Sequence, residues 1–333
     1  MWSRMLITLV LWLSAIALLL LSLSFAPWYQ IWLVEVMGGG YLWLARLTLL
    51  LLLGVLVVKP KVPQRGMLIG VLAIALGFYA SATLTWYIPR LQDDRMGGIP
   101  LTVMTYNVNY QLWDAAAVTE QVRANPAELF GLVEPSAEQA AELREAVQDL
   151  YPHYYRATGG RVSLFSRYPL LETATLNLGT ASHSLFATVD VDGRPLRVVV
   201  THPVPPISRQ HFLRRNQLIK VLADYGAEQE MTTIIMGDFN TTSWSRYFND
   251  FLRRSGLRSV NLGHGLNPTW FYNETGRSLS RREQILQILK IPIDHIVVSQ
   301  DISVDEVSAL SAGVSDHRPL LAKLRLLQQN SAN

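Results

Sequence analysis

The hydrophobic pattern divides the chain into two unlike parts. In the first ninety residues, apolar side chains form three long runs, Met5–Trp28, Tyr41–Val58 and Met67–Pro89. Each run approaches the ~20 residues with which a helix crosses a bilayer. None shows a polar face, which buried core helices of a soluble domain usually have. We therefore predict a three-helix transmembrane anchor over residues 1–90. The first run alone could be a signal peptide, but it lacks a small-residue cleavage site and two runs follow it.

The loops between the runs predict an orientation. Arg4 precedes the first run, and the first loop carries Glu35 and no basic residue. The second loop, Lys59–Arg65, is strongly basic. Basic loops stay in the cytoplasm, so three crossings place the rest of the chain outside. The chain is thus expected to be an integral protein of the inner or plasma membrane with an extracytoplasmic C-terminal domain.

After a predicted linker at residues 91–100, short apolar runs alternate with helical stretches. Runs of strand length lie at 101–107, 128–134, 196–202, 232–240 and 291–299, and helical periodicity covers 115–126, 136–150 and 208–230. Strands and helices mixed in this way predict a layered α/β or α+β domain. We place this domain at residues 101–325, with a tail at 326–333.

Polar side chains suited to catalysis follow the predicted strands, except that Asp294 lies within one and that Asp316 and His317 lie just before another. They are Asn107, Glu134, His202, Asp238, Asn240, Asp294, Asp316 and His317. One Asp or Asn after a strand is usually a turn residue. Ionised carboxylates, however, are rarely buried unless they are paired or bound to metal. Several such residues at strand ends would converge on one rim of the domain.

The residue types are chemically coherent. Glu134 and Asp316 are hard oxygen ligands of the kind that Mg²⁺, Mn²⁺ or Ca²⁺ prefers. Asn107, Asn240 and the histidines can donate hydrogen bonds to phosphate oxygens, and an Asp can fix the tautomer of a His. Together they could activate water for attack on phosphorus. The sequence contains no serine nucleophile elbow, Walker loop or HExxH helix.

Composition and charge narrow the function further. The absence of cysteine excludes disulfides, thiolate zinc sites and cysteine nucleophiles. Seven basic and three acidic residues precede residue 96, which leaves 22 basic and 23 acidic residues in the rest of the chain. The C-terminal part is therefore near neutral, and bulk charge does not require a nucleic-acid partner.

Seven segments, in this order, resemble the endonuclease/exonuclease/phosphatase superfamily, which is also called DNase I-like. They are TYNVN, LVEP, LFSRYPL, THPVPP, MGDFNTT, IDHIVVS and SDHRPL, and they span nearly all of residues 101–324. The resemblance implies a four-layer α/β sandwich of two packed, mainly antiparallel sheets with outer helices. It also implies a hydrolase of phosphodiester or phosphomonoester bonds that uses Mg²⁺ or Mn²⁺.

The same resemblance implies roles for the strand-end residues. Glu134 would bind the metal, helped by Asn107 and Asp316. His317 would activate water or steady the phosphate and would be oriented by Asp294, while Asp238 and Asn240 would position the nucleophile and phosphoryl group. His202 would contact the phosphate. Family branches differ on whether the base is Asp238 or His317, and both stay open. Val133 stands where the family commonly has Gln.

Three functions remain open at this stage. A nuclease is favoured by basic clusters at 209–215, 253–258 and 277–282, which are otherwise solvated helix faces. A phospholipid or head-group phosphodiesterase is favoured by the membrane anchor and by the basic, apolar segment Ser278–Pro292. A non-catalytic, membrane-anchored binding domain is the third alternative, although it would not need metal ligands. The expected partners are a phosphate-ester substrate, either nucleic acid or a phospholipid head group, and the lipid bilayer; the sequence identifies no protein partner.

Overall fold

The computed structural model describes residues 2–23, 26–58, 63–89, 97–177, 183–271, 290–311 and 313–327. Several predicted features lie wholly or mostly outside these residues. They are the linker up to residue 96, the basic pair Lys59 and Lys61, the third basic cluster, all but the end of segment Ser278–Pro292, and the tail beyond residue 327. The chain divides into two units, one of Met1–Thr85 with Trp244–Arg246 and one of Trp86–Ser243 with Tyr247–Asn333.

The first unit is helical. It contains α1 (Trp2–Ser22), a 3-10 turn (Pro27–Gln30), α2 (Trp32–Gly39), α3 (Tyr41–Val58) and α4 (Arg65–Leu84). Three of these helices, α1, α3 and α4, are long and apolar enough to cross a membrane. They pack through small and branched side chains such as Ala15, Val55 and Leu72. Leu13, Leu50 and Val57 stay exposed, which suits surfaces that face lipid.

The second unit contains two six-stranded sheets within its described residues. Its elements are β1 (Gly98–Asn107), α5 (Ala115–Ala124), β2 (Leu129–Val133), α6 (Ala137–Ala146), β3 (His153–Arg156), β4 (Val162–Ser166), β5 (Leu170–Asn177), β6 (His183–Val191), β7 (Arg194–Thr201), α7 (Arg209–Ala227), β8 (Thr233–Asp238), α8 (Arg246–Ser255), β9 (Arg258–Ser259), β10 (Asp294–Val298), β11 (Ile302–Ala309) and β12 (Leu320–Leu327).

Each sheet has one parallel strand pair at its centre. The first sheet has the order β11-β12-β1-β2-β4-β3, and the second has β5-β6-β7-β8-β10-β9. The pairs β1/β2 and β7/β8 are parallel, and the other neighbours are antiparallel. The carboxyl ends of β1 and β2 therefore lie side by side, as do those of β7 and β8. These are the strand ends that carry the candidate site residues.

Alternate residues of the central strands are buried on opposite faces. In β1, Val103 lies in the core between the sheets, whereas Met104 and Tyr106 pack with Val118 of α5 and Leu143 of α6. On the second sheet, Phe186 packs against Tyr225 of α7, and Phe239 against Phe248 of α8. The layers are thus helix, sheet, sheet, helix, which confirms the expected four-layer sandwich.

Candidate active site

Asn107 connects the rims of the two sheets. It is the last residue of β1, is fully buried, and donates from Nδ2 to Glu134 Oε1 at 3.1 Å and to Asp238 Oδ2 at 3.1 Å. Its Oδ1 accepts the Asn109 amide at 3.0 Å, and its carbonyl accepts Ser315 Oγ at 2.8 Å. Asn107 therefore fixes a carboxylate from each sheet in one place.

Glu134 leaves β2 in a left-handed backbone conformation, with φ +66°. Its amide donates to the carbonyl of Arg161 at 2.7 Å, which holds this turn against the start of β4. A non-glycine residue with positive φ is uncommon and is often found at a functional site. The turn leaves the Glu134 carboxylate partly accessible, 3.2 Å from His202 Nε2.

Asp238 ends β8 and lies directly opposite Asp294 in the antiparallel β8/β10 pair. The preceding residue, Gly237, has φ +141°, and a Cβ there would lie 2.0 Å from the Thr201 carbonyl oxygen. Only glycine therefore permits the close approach of β8 to β7 at this point. The consequence is that Asp238 and His202, just beyond the ends of these strands, come together.

The Asp238 carboxylate is 1% exposed. Its Oδ1 accepts the Asn240 amide at 2.7 Å, and Oδ2 lies 3.7 Å from His202 Nε2 and 3.8 Å from His317 Nε2. Burial, together with the negative charge of Asp294, raises the pKa of Asp238 well above its usual range. Two buried carboxylates side by side favour a positive charge between or beside them.

His317 and Asp294 form a buried pair. His317 Nδ1 and Asp294 Oδ2 are 2.8 Å apart, so the Nδ1 proton points at the carboxylate and Nε2 faces Asp238. Burial alone would lower the pKa of His317, but the charges of Asp294 and Asp238 and the hydrogen bond to Asp294 raise it to about 10. The amide of Asp294 donates to Thr269 Oγ1 at 3.1 Å, which fixes the start of β10.

Asn240 and His202 make the other side of the site. Asn240, with φ +50°, donates from Nδ2 to the Pro203 carbonyl at 2.9 Å, and the same atom is 3.3 Å from His202 Nε2. Burial lowers the pKa of His202, opposed by the charge of Glu134. His202 is therefore neutral near pH 7 and can serve as a hydrogen-bond partner for a phosphate ester.

Asp316 occupies a separate position. Its Oδ1 accepts Asn109 Nδ2 at 3.0 Å, and its Oδ2 accepts the indole N–H of Trp270 at 3.0 Å. In the described parts of the chain, two groups could hold a metal ion, each with ligand atoms within 4.8 Å of one another: Glu134, His202 and Asp238, and Asp238, Asp294 and His317. Asp316 belongs to neither group.

The structure thus gathers seven of the eight candidate residues around Asp238, with Asp316 at the edge. Sequence reasoning did not single out Asn109 or Trp270, which hold Asp316. It placed Arg215 only in a basic cluster, whereas in the structure its Nη1 donates to the Asn240 carbonyl at 2.8 Å. The TYNVN segment includes Asn109, so that residue could have been found. Trp270 and Arg215 lie far along the chain from their partners and carry no local signal.

Comparison with known proteins agrees with this architecture. A family model described as the Endonuclease/Exonuclease/phosphatase family matches residues 104–317. Comparison with curated proteins finds no match. Similar solved structures include an endonuclease/exonuclease/phosphatase family protein from Bacteroides thetaiotaomicron, with 17% identity, TM-score 0.54 and coverage of 70% of this chain and 100% of that chain.

Two further similar structures are of proteins whose names state a function. Sphingomyelinase C from Streptomyces griseocarneus is 15% identical, with TM-score 0.51, and a mannosyl-6-phosphatase from Bacteroides thetaiotaomicron is 18% identical, with TM-score 0.52. Each alignment covers 67% of this chain and 99% of the other chain. At such identities the likeness shows the fold. Since the family model covers well over half of the sequence, the chain belongs to the endonuclease/exonuclease/phosphatase family.

Proposed function

We propose that this protein is a membrane-anchored hydrolase of phosphate esters that depends on a divalent metal ion. The observation that carries the proposal is the hydrogen-bonded Asp294–His317 pair. The Nε2 of His317 lies 3.8 Å from Asp238 Oδ2, among the amide and imidazole side chains of the site. Asp294 holds the imidazole with its Nδ1 proton inward, so Nε2 is the atom that takes or gives a proton. A binding module has no need of this arrangement, so we prefer an enzyme to the non-catalytic alternative.

The acidic residues fit a divalent cation. Asp238 is buried beside Asp294 and has a raised pKa, which a nearby cation would lower. Asp294 Oδ1 is also buried without a hydrogen-bond partner among the described residues. We propose Glu134, Asn107 and Asp316 as ligands, and Mg²⁺ or Mn²⁺ matches their oxygen chemistry. Asp316 lies outside both possible metal groups, so it would have to release Asn109 or Trp270 in order to bind the same ion. In the structure, Asn107 Nδ2 faces the carboxylates of Glu134 and Asp238. To act as a ligand, the Asn107 side-chain amide would have to rotate so that its oxygen faces the cation instead.

A bound cation would polarise the phosphoryl group and stabilise the charge that develops on it. The protein residues do the rest. His202 and Asn240 donate hydrogen bonds to the non-bridging oxygens, and the carbonyl of Pro203 and the guanidinium of Arg215 fix Asn240 in place. The attacking water gives its proton to His317 Nε2 or to Asp238 Oδ2. Either group must be deprotonated to act as the base, and a cation bound beside them would lower both raised pKa values. General bases of this kind typically contribute ~10²–10⁴-fold to the rate.

The substrate class is a phosphodiester or phosphomonoester, from nucleic acid or a phospholipid head group. In the two basic clusters that the structure describes, several arginines are already engaged, although Arg209 and Arg214 stay exposed. Arg253 pairs with Asp250 at 2.9 Å, Arg254 pairs with Asp224, and Arg215 is buried. Binding along a duplex requires many free cations at the surface. The paired arginines therefore favour a small or single-site phosphate ester.

We further propose that α1, α3 and α4 anchor the protein in the inner or plasma membrane, with the catalytic unit on the extracytoplasmic side. Their length and apolar composition support the anchor, and the contrast between the loops around Glu35 and Arg65 supports the orientation. In this orientation the enzyme would meet extracytoplasmic phosphate esters.

Metal dependence is the direct test of this function. The purified protein, assayed on bis(p-nitrophenyl) phosphate, should lose activity in excess EDTA and regain it with Mg²⁺ or Mn²⁺. Glu134→Gln should raise the metal concentration for half-maximal activity and weaken Mn²⁺ binding in electron paramagnetic resonance titrations. Glu145→Gln, an exposed change on α6, is the matched control and should alter neither. Undiminished turnover in excess EDTA would overturn the metal mechanism.

A further inference from the structure

An exposed arginine and an exposed tyrosine stack beside the candidate metal ligands. The guanidinium carbon of Arg161 lies 4.0 Å from the centre of the Tyr110 ring, and Tyr110 is 37% exposed. Neither residue is part of the catalytic set described above. A cation held on an aromatic face is pre-oriented, so less side-chain entropy is lost when it binds a ligand.

The position of Arg161 is fixed by the strand that follows it. Val133 of β2 is paired with Val162 of β4 in antiparallel register, so Glu134 and Arg161 are neighbours just beyond that pair. The Glu134 amide donates to the Arg161 carbonyl at 2.7 Å. Because this hydrogen bond also shapes the left-handed turn at Glu134, the arginine backbone cannot shift without disturbing a proposed metal ligand.

Tyr110 is held from the other side. Gln139 Nε2 donates to the Tyr110 carbonyl at 2.9 Å, and Gln139 is itself fixed by the capping box at the start of α6. Asn109, the residue before Tyr110, donates to Asp316 at 3.0 Å. Gln111 Nε2 donates to the Tyr110 hydroxyl at 2.9 Å. The Tyr110 ring, on which Arg161 stacks, is therefore held in place by Gln139 and by its neighbour Asn109, which also binds Asp316.

Arg161 has no carboxylate partner among the described residues, and its positive charge acts on the candidate site. Across the residues that the structure describes, Arg161 makes no ion pair with a carboxylate, in contrast to Arg253 and Arg254. Its positive charge is one of the influences that lower the pKa of His202, although burial is the main one. An exposed guanidinium that contacts Tyr110 but no carboxylate keeps most of its N–H donors for a ligand.

We propose that Arg161, stacked on Tyr110, is a specificity-determining residue that binds a second anionic group of the substrate, next to the phosphate that is hydrolysed. The inference rests on the proposed function and refines its substrate class. A guanidinium binds phosphate or carboxylate oxygens in a planar, bidentate geometry. The substrate is therefore an ester with an additional phosphate or carboxylate, such as a phosphorylated nucleotide or a phosphorylated head group.

The same pair disfavours a choline head group. A quaternary ammonium is usually recognised by open aromatic faces, and here the face of Tyr110 is covered by Arg161 at 4.0 Å. A second cation beside the guanidinium would be repelled. We therefore expect the enzyme to prefer esters with an additional anionic group. Esters without additional charge should come second, and esters with an additional cation should be hydrolysed least efficiently.

Three chromogenic diesters with one p-nitrophenyl leaving group test the proposal. They are thymidine 5′-(p-nitrophenyl phosphate), the same compound with a 3′-phosphate, and p-nitrophenylphosphorylcholine. The wild-type protein with Mg²⁺ should prefer the 3′-phosphorylated compound in kcat/KM, mainly through KM. Arg161→Gln should reduce that preference about 10- to 100-fold, the range of a charge-assisted hydrogen bond. Arg161→Lys should restore it in part, since it keeps the charge without the planar fork.

The chain offers a matched control in another arginine–tyrosine stack. Arg144 lies over Tyr154 at 5.1 Å, near the end of α6 that is remote from Glu134. Arg144→Gln should leave the substrate preference unchanged, and thermal unfolding should verify that each variant folds. Tyr110→Phe keeps the ring and should keep most of the preference, whereas Tyr110→Ala should lose part of it.

Each result has one reading. If wild type hydrolyses the esters with no preference for the 3′-phosphate, or Arg161→Gln keeps the preference, the proposal is wrong. It is also wrong if Arg161→Gln lowers kcat/KM equally on all three, because Arg161 would then act on the shared phosphate. If wild type with added metal hydrolyses none of the three but hydrolyses bis(p-nitrophenyl) phosphate or p-nitrophenyl phosphate, this inference is wrong and the proposed function stands. If it hydrolyses none of the five compounds, the proposed function fails, and this inference with it.

Discussion

Asp238 contacts candidate site residues from both sheets. It accepts hydrogen bonds from Asn107 at the end of β1 and from Asn240 after β8, and it faces Asp294 across the β8/β10 pair. Both histidines of the site lie within 4 Å of its Oδ2. A buried carboxylate in this position either accepts the proton of water or holds the imidazole that does so. Substitution can separate these two roles.

We predict that His317→Ala lowers kcat by roughly 10²–10⁴-fold while the metal still binds. Asp294→Asn should have a milder effect, because it removes only the group that orients the imidazole at 2.8 Å. Steady-state kinetics give kcat, and electron paramagnetic resonance with Mn²⁺ tests metal binding. His153→Ala, on the edge strand β3, is the control and should keep normal turnover.

Turnover within a few-fold of wild type in His317→Ala would exclude His317 as the base. Asp238→Asn would then be expected to abolish hydrolysis, and the base would be Asp238. If both variants are inactive, rescue of His317→Ala by added imidazole would identify the histidine as the group that carries the proton.

At the scale of single residues, the sequence was informative wherever a polar side chain follows an apolar run. This pattern identified Glu134, His202 and Asp238, because a carboxylate or imidazole at the end of a buried strand has few structural explanations. It did not identify Trp270, or the contact of Arg215 with Asn240, because these interactions join residues 46 and 25 positions apart in the sequence. A residue that acts through a distant neighbour cannot be recognised until the fold brings the two together.

At the scale of elements, apolar runs predicted the strands that are buried on both faces, such as β1, β2 and β8. They did not predict β5, an edge strand whose sequence includes Glu172 and Thr173. Nor did they predict β6, where the buried hydroxyls of Ser184 and Thr188 interrupt the apolar pattern. Ser184 is satisfied by Thr201 on β7 at 2.9 Å, a pairing that only the register of the sheet reveals.

Strand β10 carries a histidine that links pH to stability. His295 is fully buried, its ring centre lies 3.9 Å from that of Phe248, and its Nε2 is 2.8 Å from the Thr241 carbonyl. Among the described residues, Nδ1 is buried with no partner, so protonation there would leave an unsatisfied charged donor. Burial lowers the pKa of His295 to about 4. The imidazole is therefore neutral in the folded protein near pH 7.

We predict that this histidine makes the protein less stable as the pH falls from about 6.5 towards 4. The unfolded chain takes up the proton near pH 6.5, whereas the folded protein does not. The free energy of unfolding is therefore lower by about 2 kcal/mol at pH 5 than at neutral pH. His295→Gln can keep the donor to Thr241 but does not titrate in this range. Thermal unfolding of the full chain in detergent at pH 7, 6 and 5 should show a steeper decrease for wild type than for the variant; parallel decreases would refute the assignment.

At the scale of the whole molecule, hydropathy located the three apolar helices to within a few residues. The structure adds α2 (Trp32–Gly39) in the stretch that sequence reasoning treats as a loop. An eight-residue helix is too short to cross a bilayer, so the proposed number of crossings stays at three. The proposed orientation is supported by the charges of the loops.

We predict that an alkaline phosphatase fused after Asn333 is active and that a fluorescent protein which folds only in the cytoplasm is dark there. The expected orientation requires an odd number of crossings. It therefore depends on α3 crossing the membrane despite Arg46, whose guanidinium lies 4.6 Å from the Trp43 ring centre. A fusion within the loop after α3, at residue 62, should give the opposite pair of results. If the reporter at Asn333 instead gives the cytoplasmic pattern, the catalytic unit and its substrate are cytoplasmic.

The pairing of the first and last strands of the first sheet has a consequence for biosynthesis. β1 lies between β2 and β12, with Gly98 opposite Leu327, so one side of a central strand stays open until the far end of the domain has been synthesised. Contacts so distant in sequence make folding slow and expose unpaired strand edges meanwhile. Asp316 and His317 also arrive only with this last segment. A ribosome-bound chain that lacks its last strand therefore cannot assemble the candidate active site. Until that strand is released, the nascent domain depends on protection from aggregation.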